Sequence, residues 1–409
     1  MSIALNPGVE GSLPVPIREA VATDTRQTND TIDRVDVWRV ACPVADRSAV
    51  AGTTARDPLN AASPDRRQVE ALILRVRTRD GLEGWGEAFG HSANPSSLAA
   101  LHSMVIPFAQ GRSTDPYAFA ADASKAFHPF GRGGPIAYAA SGVEIALWDI
   151  AAQRAGVPLR ELLAPGSGGR VNHVEAYASL PSYQGNAPSL VEAVARVVER
   201  GFDHVKLHET RSETILAVRE AFPELHVATD MNAWWGSEDE DALRGELRDA
   251  GLWFVEEPLF PPSDVEALRR LRQAGIATAA GENAGDVADL LTMMRAGALS
   301  IAQPSVAKIG GVGSVARIHA EAARLGPGEV DVMPHCYYIG PAFYAVAQIV
   351  AAFPSPTAYV EAPIFDWQDV LHPAQDAAAS IALPDAPGLG FPVDLPRLTE
   401  LTLHTNGID

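Results

Sequence analysis

The sequence predicts an α/β protein whose larger part is a (β/α) barrel, with a smaller α+β domain ahead of it. After Pro165-Gly166-Ser167-Gly168-Gly169, eight short apolar strands alternate with helix-like segments rich in Ala, Arg and Glu. Before that break the order differs, with strands first and helices after, as in α+β domains. The third observation is chemical. Strand after strand in the second part ends in an ionisable or polar residue, and the carboxyl ends of barrel strands are where such folds build their sites.

The barrel strands are expected at 173–180, 204–208, 226–232, 252–256, 278–282, 300–305, 331–335 and 357–361, with a last helix over Pro341–Ala352. An open doubly wound sheet would also alternate. It would need a Gly-rich turn after its first strand, and no G-x-G-x-x-G is present there. In the first part, Asp33–Val40 and Glu70–Arg77 alternate as strands, and Arg79-Asp80-Gly81-Leu82 turns the chain into Gly84–Ala88. Helices are expected around 97–108, 116–126 and 136–155. The polar stretch from Asp46 to Arg67 is long for a loop and suits a lid or a disordered segment. These boundaries divide the chain into a weakly ordered extension (1–30), an α+β domain (31–165), a barrel (166–375) and a C-terminal segment (376–409) that packs back on the first domain.

Bulk composition narrows the function. At 409 residues with 47% apolar content, the chain supports a sizeable core. A formal charge of −19 argues against nucleic acid as a partner. No apolar run approaches the ~18 residues of a membrane span, and the first thirty residues lack a signal-peptide core. Two cysteines, Cys42 and Cys336, make no disulfide scaffold, so a cytoplasmic protein is expected. Only three of the 32 basic residues are lysines. Lysine can lose its proton when desolvated and arginine cannot, so each lysine is worth noting.

The strand ends carry the chemistry. Strand side chains alternate, so Lys206 and His208 in Val205-Lys206-Leu207-His208 share a side. Asp230, Glu256 and Glu282 close three consecutive strands at equal steps of 26 residues. Adjacent strands lie about 4.8 Å apart, so three carboxylates at one level would repel unless a cation joined them, and an all-oxygen set favours Mg²⁺. Asn232, two residues after Asp230, shares its face and is a candidate for a substrate hydroxyl. Glu257, one residue after Glu256, would point away in an extended chain and brace neighbouring structure. Ser305, His335 and Glu361 end strands six to eight. Lys206 and His208 flank the acidic trio on one side and His335 on the other. A metal between two bases suits removal of the proton next to a carboxylate, so a small anionic carboxylate is the expected substrate. Glu361 would either donate a hydrogen bond to that substrate, if its pKa were raised, or pair with Lys206. Lys308, before Ile309-Gly310-Gly311, reads as structural, and Cys336 as a small buried residue beside the site.

With Trp253-Phe254-Val255-Glu256-Glu257-Pro258, Gly281-Glu282-Asn283, Ala307-Lys308-Ile309-Gly310-Gly311-Val312, Pro334-His335 and Ser141–Ile150, the chain resembles the mandelate racemase/muconate lactonizing enzyme group of the enolase superfamily. The resemblance implies a (β/α)7β TIM-like barrel with an N-terminal α+β capping domain, and Mg²⁺ held by Asp230, Glu256 and Glu282. It implies that Lys206 contacts the substrate carboxylate, with Glu361 in support. It also implies that loops of the capping domain close over the site, among them 46–67 and Phe89-Gly90-His91, which makes His91 a candidate for substrate contact. A homo-oligomer is expected on the same basis. Two positions depart from the pattern of the group's racemases. Strand two carries Lys-x-His where they carry Lys-x-Lys, and Ser305 stands where an aspartate would orient the strand-seven histidine. The expected reaction is Mg²⁺-dependent dehydration of a sugar acid by His208 and His335. A racemase, epimerase or cycloisomerase working through the same enediolate is the alternative, and a non-catalytic barrel is a third reading supported only by Ser305.

Overall fold

The computed structural model describes residues 30–45, 67–90, 93–165, 171–237, 240–355, 357–376 and 378–403. Residues 1–29 of the expected N-terminal extension (1–30), residues 46–66 of the expected lid (46–67) and His91 lie outside the described residues.

The first domain is an antiparallel meander of β1 (Ile32–Pro43), β2 (Gln68–Thr78) and β3 (Glu83–Ala88). Among the described residues four α-helices follow: α1 (94–109, with a π turn at Leu101–Val105), α2 (Pro116–Phe127), α3 (Pro135–Ala155) and α4 (Leu159–Leu163). The helix α3 joins the two domains. Its residues 141–150 are all buried, as expected of a helix that is covered on every side. Val143, Leu147 and Ile150 enter the core of the first domain, while Ile145 and Trp148 enter the barrel core.

Glycines let β3 lie directly on α3. A Cβ on Gly86 would stand 2.0 Å from the carbonyl oxygen of Gly142, and one on Gly84 would stand 2.2 Å from that of Ala146. Both obstacles are backbone, which cannot rotate away. Gly86→Ala is therefore expected to cost about 3 kcal/mol, the upper end for overpacking, read as a lowered urea midpoint. A loss below ~0.5 kcal/mol, within the range of an ordinary surface change, would show that the two elements can separate freely.

The second domain is a curled parallel sheet of eight strands in the order β12-β11-β10-β8-β6-β5-β4-β13. These are β4 (His173–Ser179), β5 (His204–Leu207), β6 (His226–Asp230), β8 (Val255–Glu256), β10 (Thr278–Ala280), β11 (Ile301–Ala302), β12 (Asp331–Val332) and β13 (Tyr359–Pro363). A small pair, β7 (Trp235–Gly236) and β9 (Leu259–Phe260), lies beyond the strand ends, and β14 (Ser380–Ala382) adds antiparallel to β4. Seven helices fill the gaps: α5 (Ala187–Glu199), α6 (Ser212–Ala221), α7 (Glu240–Leu247), α8 (Val265–Gln273), α9 (Val287–Arg295), α10 (Val312–Leu325) and α11 (Pro341–Ala352). This is the expected (β/α)7β barrel. Its floor is an aromatic layer in which His204 stacks on His226 with ring centres 4.2 Å apart, against Trp253 and Tyr359.

Buried carboxylates of the first domain fasten it to the barrel. Glu87 accepts the backbone N–H groups of Gly340 (3.0 Å) and Ala342 (3.1 Å) at the start of α11. Glu144 accepts those of Val312 (2.8 Å) and Gly313 (2.9 Å) at the start of α10. Helix N-termini expose unpaired N–H groups and a positive dipole end, so a carboxylate is a fitting partner. Gly311, at φ +86°, has its place here: a Cβ would fall 1.8 Å from a Glu144 oxygen. At the far end of the chain, Leu401 and Leu403 bond backbone-to-backbone with Ala41 and Arg39 of β1. A short helix, α12 (Leu395–Glu400), precedes that contact.

Candidate active site

Asp230 and Glu256 are direct register partners on β6 and β8, which places their carboxylates side by side. Glu282 is not at that level, contrary to the equal spacing in the sequence. Glu256 pairs with Ala279, so Glu282 stands three residues beyond its in-register neighbour. The chain reaches it through Gly281, whose φ of +135° is open to glycine and turns the backbone back over the barrel mouth. The bend restores what the register loses. Ligand atoms of Asp230, Glu256 and Glu282 all lie within 4.8 Å of one another.

Lys206 lies beneath the trio and is wholly buried. Its Nζ is 2.8 Å from Glu256 Oε2, 2.7 Å from Glu361 Oε1 and 3.6 Å from Asp230 Oδ2. Burial works against its charge, and the Glu256 and Glu361 carboxylates outweigh burial, holding its pKa well above the usual lysine range. One ammonium does not satisfy both acids equally. Glu361 is also buried, yet Lys206, His335 and the N–H of Cys336 bring it down to about 2. It therefore pairs with Lys206 as a carboxylate and is not a protonated donor. Glu256 is pushed up to about 7 by burial and by the nearby Asp230, against the pull of Lys206.

That imbalance suits a bound cation. Glu256 Oε1 is buried and, among the described residues, has no hydrogen-bond partner. It faces a cluster short of positive charge, and an unpaired buried carboxylate oxygen is costly. The donor set is entirely oxygen, with at least one acceptor free, and it fits Mg²⁺.

The two histidines touch opposite ends of the trio. His208 Nε2 is 3.4 Å from Asp230 Oδ2, and His335 Nε2 is 2.9 Å from Glu282 Oε2. Burial opposes the His208 charge, but Asp230 raises its pKa overall. Ser305 Oγ lies 3.2 Å from His335 Nδ1, in the place the resemblance reserves for an aspartate.

Other expectations need correction. Asn232 does not share the Asp230 face by strand alternation, because β6 ends at Asp230 and Asn232 has a φ of +48°. Its backbone N–H bonds Asp230 Oδ1 at 2.8 Å. Glu257 is likewise outside an extended strand, at φ +38°, though it does brace a neighbour through Asn283 Nδ2 at 2.7 Å. Burial and the charges of Glu282 and Asp230 push Glu257 up to about 8.

Lys308, read from the sequence as structural, belongs to the site. Its Nζ is 3.0 Å from Glu282 Oε1, 3.1 Å from Asn283 Oδ1 and 4.1 Å from the centre of the Phe89 ring. Phe89 follows β3, so the first domain contributes directly to the mouth of the barrel. His335 and Lys308 together hold Glu282 well below the usual carboxylate range despite burial. The rarity of lysine was the available signal, since two of the three lysines converge here. Gln303, whose Nε2 donates to Glu256 Oε2 at 3.0 Å, and Tyr338, beside Ser305, were also missed.

Comparison with known proteins identifies the family. Residues 189–397 match the family model for the enolase C-terminal domain-like fold. Residues 46–164 match that of the mandelate racemase / muconate lactonizing enzyme N-terminal domain. The chain is similar to an o-succinylbenzoate synthase of Geobacillus stearothermophilus, at 27% identity over 81% of this chain and 88% of the relative. A D-galactarolactone cycloisomerase of Agrobacterium fabrum is 27% identical over 81% and 91%. An arabinonate dehydratase of Saccharolobus solfataricus is 25% identical over 83% and 92%. The solved structure of an enolase superfamily member from Polaromonas sp. JS666 superposes with a TM-score of 0.75 at 25% identity, covering 91% of this chain and 98% of that one. With its capping domain, its (β/α)7β barrel and its trio of strand-end carboxylates, the chain belongs to the enolase superfamily, in the mandelate racemase/muconate lactonizing enzyme group.

Proposed function

We propose that the protein removes the α-proton of a small sugar-acid carboxylate and expels the β-hydroxyl as water, giving a 2-keto-3-deoxy acid. The observation that carries this reading is the pair of imidazoles at opposite ends of the acidic trio, one at Asp230 and one at Glu282. Imidazoles serve as acid or base near neutral pH, so the pair suits an elimination that needs both roles. Asp230, Glu256 and Glu282 would hold Mg²⁺, which when bound stabilises negative charge developing on the substrate carboxylate. Lys206 supplies a fixed positive charge beneath the same place, and Glu361 keeps that lysine charged and immobile. Phe89, over Lys308, helps keep water from the mouth. A reducing cytoplasm suits the two buried free thiols, Cys42 and Cys336.

A library of sugar acids incubated with the protein and Mg²⁺ in deuterium oxide tests the proposal. The expected product is a 2-keto-3-deoxy acid that has lost one water and carries one solvent deuterium at C3. The cycloisomerase relative favours a second reading, in which the departing oxygen stays tethered and the product loses no water and differs from its substrate only by solvent deuterium on carbon. Substrate α-deuteration without any keto product would sink the dehydration and point to a racemase or epimerase.

A further inference from the structure

We infer that Lys308 is the positioning residue for the third carboxylate of the trio, Glu282, and that one face of helix α3 in the first domain holds Lys308 in place. The metal site is thereby completed across the domain boundary. This rests on the trio holding Mg²⁺ and adds what keeps its third member in position.

Of the three carboxylates, Glu282 has the least support from its own backbone. Asp230 and Glu256 end their strands and are fixed by the ladder between β6 and β8. Glu282 lies two residues past the end of β10, beyond the bend at Gly281, where that ladder has stopped. A side chain there needs bracing from elsewhere, and Lys308 supplies it. Its Nζ stands 3.0 Å from Glu282 Oε1 and 3.1 Å from Asn283 Oδ1, so it grips two consecutive residues of the bend. The remaining side of Nζ meets the face of Phe89, 4.1 Å from the ring centre. Lys308 is 5% exposed. A lysine head already surrounded on three sides suits a brace better than a contact for incoming substrate.

Lys308 itself lies in the turn between β11 and α10. Gly310 and Gly311 shape that turn with φ of +101° and +86° and carry no side chain that could anchor it. The anchors come from α3. Ser141 Oγ accepts the backbone N–H of Gly310 at 2.9 Å, and Glu144 accepts those of Val312 and Gly313. Tyr138 sets its ring edge-on to Phe89, with centres 5.3 Å apart. Tyr138, Ser141 and Glu144 follow one another at steps of three along α3, which places them on one helix face. That face therefore meets both the turn that carries Lys308 and the ring that covers its head. Glu87 also ties the two domains together, but its partners lead into α11 and not to Lys308. The two attachments can be separated by experiment.

Titration calorimetry with Mg²⁺ on the full-length protein is the test. Lys308→Met should weaken Mg²⁺ by ~10–100-fold, the usual cost of losing a residue that orients a metal ligand. Lys308→Arg, which keeps donors at that place, should restore part of the loss. Ser141→Ala removes a single acceptor from the turn and should weaken Mg²⁺ by about 10-fold, the lower end of the same range. In the Lys308→Met background, Ser141→Ala should change the affinity by less than ~2-fold, because its effect travels through Lys308. Glu87→Gln is the control for domain docking alone, and should stay within ~2-fold of the parent protein. Unchanged or tighter Mg²⁺ binding in Lys308→Met overturns the inference. So do fully additive losses in the double variant, or a loss in Glu87→Gln equal to that in Ser141→Ala. If the parent protein binds no Mg²⁺, the metal reading fails, and metal-free crystal structures decide the positioning. Glu282 should then be displaced in Lys308→Met, and a Glu282 that has not moved overturns the inference.

Discussion

Glu256→Gln is expected to fold and to lose Mg²⁺. The substitution keeps the side chain's shape and an acceptor for Lys206, but removes one of the three carboxylates and the unpaired Oε1 charge. Supporting residues around metal sites commonly change affinity by about 10–100-fold, so loss of a ligand charge should weaken Mg²⁺ at least ~100-fold. Titration calorimetry reads this directly, and turnover should fall with it. Without metal, the variant should be as stable as the parent or more so. Burial and Asp230 already hold the Glu256 pKa at about 7, so its charge opposes folding in the absence of a cation. Unchanged Mg²⁺ affinity would remove Glu256 from the metal set and, with it, the reason for grouping the trio.

Lys206→Met should have the largest effect on stability. Glu256 and Glu361 are both wholly buried and share this one ammonium, at 2.8 and 2.7 Å. Removing one partner of a buried ion pair typically costs 3–5 kcal/mol, because the other charge is stranded; here two are, so a loss of about 5 kcal/mol is expected in urea. Mg²⁺ should return part of that loss, since binding to the folded state alone stabilises it and the ion supplies charge to the same carboxylates. A change below ~1 kcal/mol, the size of an exposed pair, would mean that the two acids are already neutral. In that case the low pKa of Glu361 would be wrong as well.

The strand ends were legible because a barrel turns linear order into a ring. An apolar run followed by an acid places that acid at the mouth, and this held for Asp230, Glu256 and Glu361. Strand alternation failed where strands stopped. Asn232 and Glu257 lie one or two residues past a strand end, at φ +48° and +38°, and no period-2 rule extends into left-handed backbone. Equal spacing also misled in detail. Glu282 reaches the metal position through a bend at Gly281 and not through register. Lys308 was misread because its neighbours Gly310 and Gly311 explain a turn on their own. What its side chain does depends on Glu282, 26 residues earlier, and on Phe89 in another domain.

The sequence by itself determined the two-part architecture, the family, the acidic trio and the two histidines, since all of these rest on residue type and periodic position along the chain. The tertiary structure decided their chemical states. Which carboxylate is short of a partner and which lysine pairs with which buried acids depend on contacts between segments 47 to 182 residues apart. Burial makes those bonds obligatory, because a buried polar group left unpaired costs more than a formed bond returns. Residue type states what a group can donate or accept, and only its buried neighbours select the form it takes.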